Sequence, residues 1–520
     1  MKSLGKLLLG TALAGGLMVP AQAQDVVAVL SQNETGATSY NPVSATLLSV
    51  GAWLMYDRLV AKDENLQYVP NLAESWEEAP DGMTWTFKLK PGVTFHNGTP
   101  FTAQTVVDWL PLYKGSENEY LFDAIDHAEV VSDTEVKFVM KRPEPNLLYN
   151  LSTVYASIPD PAAFTELGEE FGVAEVVGTG PFKLDSFEIG NQTVLLRNDD
   201  YAWGPGDATG HPAKIETLTL REIAEASTAF LELKTGGVDM LMNVPTDFVG
   251  EVEGSGNLKL LELPGTDLVY MPINVTKPPF DDIKVREAVA FAINRQEIVD
   301  AVFGGRGKAA DGFLISALPE SQIAPEYRMT YDPERANKAL DDAGWVKGAD
   351  GIREKGGEKL KVTLWTQSDS IFRRLSEVVQ AQLKAVGLEA EILTFDNAAI
   401  RDQYKTGEQQ LAVRTYLWDN ADILEWFFSG ERLYYPNISM LNDPKAEELK
   451  AAAMTGAKNS AEREANFRAY HEYINSLYPY APIYEPVQLM GYNTDRVTLP
   501  EPLHAARFNT LGFLQLEVKE

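Results

Sequence analysis

Apolar and polar positions alternate through residues 84–90 (TWTFKLK), which puts Trp85, Phe87 and Leu89 on one face. Period two predicts a half-buried strand. Val136, Phe138 and Met140 repeat the pattern. Between them, residues 92–98 (GVTFHNG) end on Asn97-Gly98, a pair that favours a tight turn. Thr102 stands as an N-cap before Val106, Val107, Trp109 and Leu110. The first half of the chain thus reads as short strands mixed with helices.

From about residue 281 the period lengthens. Asp281 is placed to cap a helix running to Phe303, closed by Gly304-Gly305. Asp332-Pro333 is a cap followed by proline at the first helical position, and Gly344 ends that helix. Residues 361–366 (KVTLWT) form a strand. Over residues 370–386, Ile371, Leu375, Val378, Val379, Leu383 and Val386 share a helical face, with Gly387 as the left-handed stop. Residues 388–395 (LEAEILTF) return as a strand. Strand, helix, strand with short joints makes a parallel βαβ unit.

A further strand, residues 410–418, carries Tyr416 and Trp418 and ends at Asp419-Asn420-Ala421-Asp422. Ligands of open α/β sheets bind beyond the carboxyl ends of the strands. If the strands share a sheet, Thr366, Gln367 and Ser368 at one end face Trp418, Asp419, Asn420 and Asp422 at another. The helix after Ser368 would aim its N-terminal amides into the same crevice. A ligand with a cationic end at Asp419 and an acceptor end at that helix suits both.

Composition narrows the chemistry. The chain has 520 residues, 45% hydrophobic and 23% charged, which is ordinary for a globular protein and long enough for several lobes. Its net charge of −30 argues against nucleic acid or an anionic membrane as partner. Cysteine is absent, which excludes disulfides, thiolate metal sites and a thioether lipid anchor. The five histidines, His96, His127, His211, His471 and His504, fall in five separate contexts and predict no metal site. Lys2 and Lys6, the apolar run Leu7–Val19 and the Ala21-Gln22-Ala23 site read as a secretory signal peptide cut after Ala23. Export without lipidation places the mature chain in a bacterial periplasm.

Enzyme signatures fail one by one. There is no G-x-S-x-G elbow and no P-loop. His471-Glu472 begins like a zinc-protease helix, but Asn475 stands where the second histidine belongs. Gly178-Thr179-Gly180 is followed by Pro181-Phe182-Lys183, which breaks a dinucleotide fingerprint. A carboxylate pair of a secreted hydrolase needs no fixed spacing and stays a remote alternative. No cofactor is expected.

Four stretches together resemble one family, the extracytoplasmic solute-binding proteins of ABC importers, in the branch with oligopeptide-, dipeptide- and nickel-binding members. They are residues 70–110 (PNLAESWEEAPDGMTWTFKLKPGVTFHNGTPFTAQTVVDWL), 178–203, 278–305 and 331–345. The resemblance implies an α/β, two-lobed periplasmic binding protein fold, with an inserted subdomain in lobe I and two interlobe crossings. Lobe I would hold residues 24–272 and 487–520, with the insertion at roughly 60–180, and lobe II residues 273–486. Crossings would fall near Pro272–Asn274 and Pro482–Pro486. It further implies a monomer that closes on a small solute or peptide and delivers it to permease subunits in the inner membrane.

The resemblance also suggests site residues. Dipeptide-binding members use an aspartate in an Asp-Asn-Gly-Asp-Pro loop to hold the peptide's α-ammonium. Asp419-Asn420-Ala421-Asp422-Ile423 stands in that place, with Ala421 and Ile423 departing from the glycine and proline. Asp419 is the expected ammonium anchor, unless it merely caps its loop. Tyr40-Asn41-Pro42 resembles the family's early turn facing the cleft. A short peptide or amino-compound is the favoured ligand. An opine-like conjugate, an oligosaccharide, a metal chelate or a chemoreceptor-linked sensory role are the alternatives.

Overall fold

The computed structural model describes residues 24–31, 34–206, 211–396, 399–500, 503 and 508–519. The expected signal peptide lies outside them. Two large hydrophobic cores organise the chain. One gathers side chains from Val26 to Leu263 and again from Met490 to Leu516. The other runs from Leu268 to Tyr484, joined by a single distant residue, Leu66.

The first core packs on a seven-stranded sheet. Its order is Leu258–Pro264, Val487–Asn493, Met240–Leu241, Asp25–Val29, Thr217–Arg221, Gln192–Arg197 and Phe182–Glu188. Asp25–Val29 runs parallel to both neighbours and the other pairings are antiparallel. A separate antiparallel sheet, Ala73–Glu78, Thr84–Leu89, Glu135–Met140 and Ile125–Ser132, carries the alternation seen in the sequence. Trp85 and Phe87 face Phe138 and Val136 across the ladder, and all four are buried. Each such burial contributes roughly 1.5–3 kcal/mol. Thr102 forms a capping box with Thr105 at the start of helix Ala103–Trp109.

The βαβ unit forms as its pattern dictates. Lys361–Gln367 and Glu389–Phe395 pair in parallel around helix Ser370–Ala385, and Gly387 takes φ +93° just after the helix. Two expectations need correction. The strand over residues 410–418 is two pieces. Leu411–Ala412 pairs parallel to Lys361–Gln367, whereas Arg414–Leu417 pairs antiparallel to Asp267–Pro272 in a different, four-stranded sheet. The switch falls at Val413, whose N–H still donates to the Trp365 carbonyl at 2.9 Å. The helix expected over 281–303 is also two, Ile283–Ala292 and Arg295–Phe303. Asp282 caps the first, and the Asn294 side chain, accepting from the Glu297 N–H at 3.3 Å, starts the second.

The four-stranded sheet, Lys308–Ala309, Tyr480–Glu485, Asp267–Pro272 and Arg414–Leu417, lies where the chain passes between cores. Leu258–Pro264 belongs to the first sheet and Asp267–Pro272 to this one, so the outward passage is at Gly265-Thr266, ahead of Pro272–Asn274. Asp267–Pro272 is held in the second core by strands on both sides. The return passes through Pro486, between Tyr480–Glu485 and Val487–Asn493. Among the described residues, no helix is long and apolar enough to cross a membrane.

Candidate functional site

The loop after Arg414–Leu417 is anchored at its root to the first passage. Trp418 N–H donates to the carbonyl of Thr266 at 3.0 Å. Its indole N–H then reaches forward to Asp422 Oδ1 at 2.6 Å, and Asn420 Oδ1 accepts from the Asp422 N–H at 3.1 Å. Arg463, on helix Ser460–Leu477, stiffens the loop from below. Its guanidinium donates to Asn420 Oδ1 at 2.6 Å and to Glu320 Oε1 at 3.1 Å. Arg463, Glu320 and Asn420 are all buried, so these charge-assisted bonds are poorly screened. Desolvation holds the Asp422 carboxyl above its ordinary range, while Arg463 and the Trp418 N–H pull it back down.

The other face of the loop meets the first core. Asp419 Oδ2 accepts from Lys62 Nζ at 3.1 Å, and Tyr149 OH donates to Asp419 Oδ1 at 3.3 Å. Asn420 Nδ2 donates to Asn146 Oδ1 at 2.7 Å. Lys62 ends strand Val60–Lys62, paired with Tyr68–Pro70 in a hairpin. Asn146 precedes helix Leu147–Ser152, which packs on that hairpin and carries Tyr149. Leu66, between the two strands, adopts φ +59° and seats its side chain in the second core. A left-handed leucine costs roughly 1–2 kcal/mol, and burial of the side chain offsets it. Nearby, Ser460 Oγ donates to Glu78 Oε2 at 3.0 Å.

The residues chosen from the sequence divide sharply. Trp418, Asp419, Asn420 and Asp422 come together in this loop. Tyr40 does not join them. It is 1% exposed, with its hydroxyl bonded to Thr193 Oγ1 at 2.7 Å and Ser49 Oγ at 3.1 Å inside the first core. Asn41 accepts the Val43 N–H at 3.0 Å and so closes a local turn. Tyr416 is buried too, its hydroxyl donating to the Phe313 carbonyl and its ring packed among Tyr270, Phe313 and Phe427. Thr366 is fully buried and donates to the Phe372 carbonyl at 3.2 Å. Gln367 is half-buried and Ser368 exposed, at the end of the parallel sheet rather than of the sheet that carries Trp418. The helix amides expected to draw an anion are already used, because Asp369 accepts from the N–H groups of Ile371 and Phe372 at 2.9 and 3.0 Å.

Sequence reasoning missed Lys62, Asn146, Tyr149, Glu320 and Arg463. Lys62 stands 357 positions from Asp419, and Tyr149 stands 270 away. No local pattern marks such partners; only the topology brings them together.

This architecture has relatives. The family described as bacterial extracellular solute-binding proteins, family 5 Middle, matches residues 67–432. The glutathione-binding protein GsiB of Escherichia coli (strain K12) is 27% identical over 496 residues, 92% of each chain. The dipeptide-binding protein of the same strain is 28% identical over 458 residues, 81% of each chain. A solved structure described as a nickel ABC transporter from Bacillus halodurans superposes with a TM-score of 0.76 at 23% identity, covering 94% of this chain and 98% of that one. The chain belongs to the bacterial extracellular solute-binding proteins, family 5. It has their two-lobed fold and is a solute-binding protein of an ABC importer.

Proposed function

We propose that the protein works in the periplasm as a monomer, after loss of residues 1–23 without lipidation, and captures a peptide-like solute between its lobes for a permease in the inner membrane. On this reading lobe I comprises residues 24–264 and 487–519, and lobe II residues 267–485. The observation that carries it is the position of the Trp418–Asp422 loop. The loop hangs from the passage between cores through Thr266, and it touches the opposite core through Lys62, Asn146 and Tyr149. Polar side chains of both lobes therefore converge on one loop that must move when the passages bend. Matches to glutathione-binding and dipeptide-binding proteins favour a peptide-like solute over a sugar.

A thermal-shift screen of the mature chain tests the reading. Glutathione, di- and tripeptides with free and with acetylated amino ends, a nickel–histidine complex, opines and oligosaccharides are compared. A true ligand at 100 times its Kd adds about 2.7 kcal/mol of stability. The expected result is a shift with one or more peptides or with glutathione. Shifts with sugars or the metal complex alone would contradict it.

A further inference from the structure

The Lys62 ammonium occupies a built cation site. Asp419 Oδ2 receives it at 3.1 Å and the Asp419 carbonyl at 3.4 Å. The Tyr149 ring centroid lies 4.4 Å from Nζ and that of Tyr68 lies 5.8 Å away. A carboxylate with aromatic faces beside it is the chemistry that recognises a primary ammonium. Tyr149 serves twice, since its hydroxyl also donates to the carboxylate. The two charged side chains are 14% and 18% exposed, so water and salt screen them only in part. From the sequence, this was the place for a ligand's ammonium. In the structure it is filled by the chain's own lysine, supplied from the opposite lobe.

We propose that Lys62 is the resident counter-cation of Asp419 in the closed protein and that it selects against solutes presenting a free ammonium there. The proposal rests on the solute-capture reading above and specifies its ligand class. Asp419 already has a cationic partner before any ligand arrives. A ligand ammonium directed at the same carboxylate meets a like charge, or must expel Lys62 from a half-dry position. A peptide-like solute with a blocked, acylated or otherwise neutral end avoids both costs. The pair also ties the lobes together without help from a ligand, so it biases the protein toward closure.

Two measurements on the mature chain test this. The first needs no ligand. Reductive methylation by formaldehyde and cyanoborohydride, followed by mass spectrometry, compares Lys62 with Lys338, whose side chain is 74% exposed. Lys62 should react about tenfold more slowly or less, and Asp419→Asn should remove most of that protection. Equal rates at Lys62 and Lys338 in the wild type would overturn the proposal. The second is calorimetric titration with trialanine and N-acetyl-trialanine. The wild type should bind the acetylated form at least as tightly, and Lys62→Met, which keeps the aliphatic stem, should shift the ratio about tenfold toward the free amine. A wild type that prefers the free amine, with a ratio unmoved by Lys62→Met, would also overturn it. Binding of neither peptide would count against the peptide-like reading, and the methylation result would then decide the Lys62–Asp419 pair by itself. Melting of each unliganded variant shows whether it is folded.

Discussion

Gly265 N–H donates to the carbonyl of Pro486 at 3.1 Å, so the two passages between the lobes are hydrogen-bonded to each other. A bend between the cores at this point would move a paired ribbon rather than two independent strings. Thr266, the next residue, holds the root of the Trp418 loop. On the proposed reading, a change of angle at the ribbon would reach the candidate loop through this bond.

This pairing leaves no room for a side chain at Gly265. A Cβ there would stand 2.3 Å from the Pro486 carbonyl oxygen and 3.1 Å from its carbon. Backbone atoms do not step aside as a flexible side chain does. Gly265→Val should lower unfolding free energy by roughly 1–3 kcal/mol, as overpacking does. Urea denaturation measures this, and a midpoint equal to the wild type's would contradict the tight pairing.

Acid should destabilise the protein through two buried histidines. Burial pushes both His96 and His471 down to about 4. Each accepts a backbone N–H on a ring nitrogen, from Gly178 at 3.3 Å and from Phe313 at 2.9 Å, so each is held neutral. In the unfolded chain they take up protons near pH 6.5, and the folded state does not follow until about 4. Stability is therefore fully present above the unfolded value and is lost as pH falls from 6.5 through about 4. Melting curves at pH 7 and 5 should show the loss. Histidine proton NMR should show neither ring titrating above pH 5.5 or so; titration near 6.5 would refute the assignment.

Arg463 is expected to be structural in the loop rather than a ligand contact. Removing it by Arg463→Met leaves Glu320 buried without its cation and takes one of its hydrogen bonds from Asn420. Breaking one partner of a buried pair typically costs about 3–5 kcal/mol. Calorimetric unfolding checks the figure; a loss below about 1 kcal/mol would mean that the pair is effectively solvated.

Tyr40→Phe should behave differently from a site mutation. It deletes a hydroxyl that bonds Ser49 and Thr193 in the first core. The variant should lose about 1–2 kcal/mol of stability and keep its ligand affinity within about twofold. An affinity loss without a stability loss would return Tyr40 to the binding surface.

The chain's periodicities made its elements legible, and its resemblances made the architecture legible. The alternating strand Thr84–Leu89, the capped helix Ala103–Trp109 and the βαβ unit are local patterns, and local chemistry enforces them. Gly178 and Gly180 were visible as a failed fingerprint and as part of a family-like stretch, but neither reading told what they do. Their purpose is steric, because a Cβ would sit 2.1 Å from the Met55 carbonyl oxygen at one and 2.3 Å from that of Leu54 at the other. His96, from the turn that follows the alternating strand, bonds to both glycines. Of the candidate site, the loop was legible and its partners were not. The acidic loop declared itself at the end of a strand, but its cation did not, since an ordinary lysine far upstream carries no mark of the carboxylate it meets. Tyr40 and Tyr416 lie buried in cores, and a tyrosine near a predicted cleft and a tyrosine in a core look alike until their hydroxyl partners are known.

Closure on a solute is the central claim, and small-angle scattering tests it most directly. The mature chain is measured alone and saturated with the compound that the thermal screen identifies. The loaded protein should have a smaller radius of gyration, from lobes that bend about Gly265–Thr266 and Pro486. Scattering curves that superpose with and without the saturating ligand would contradict it.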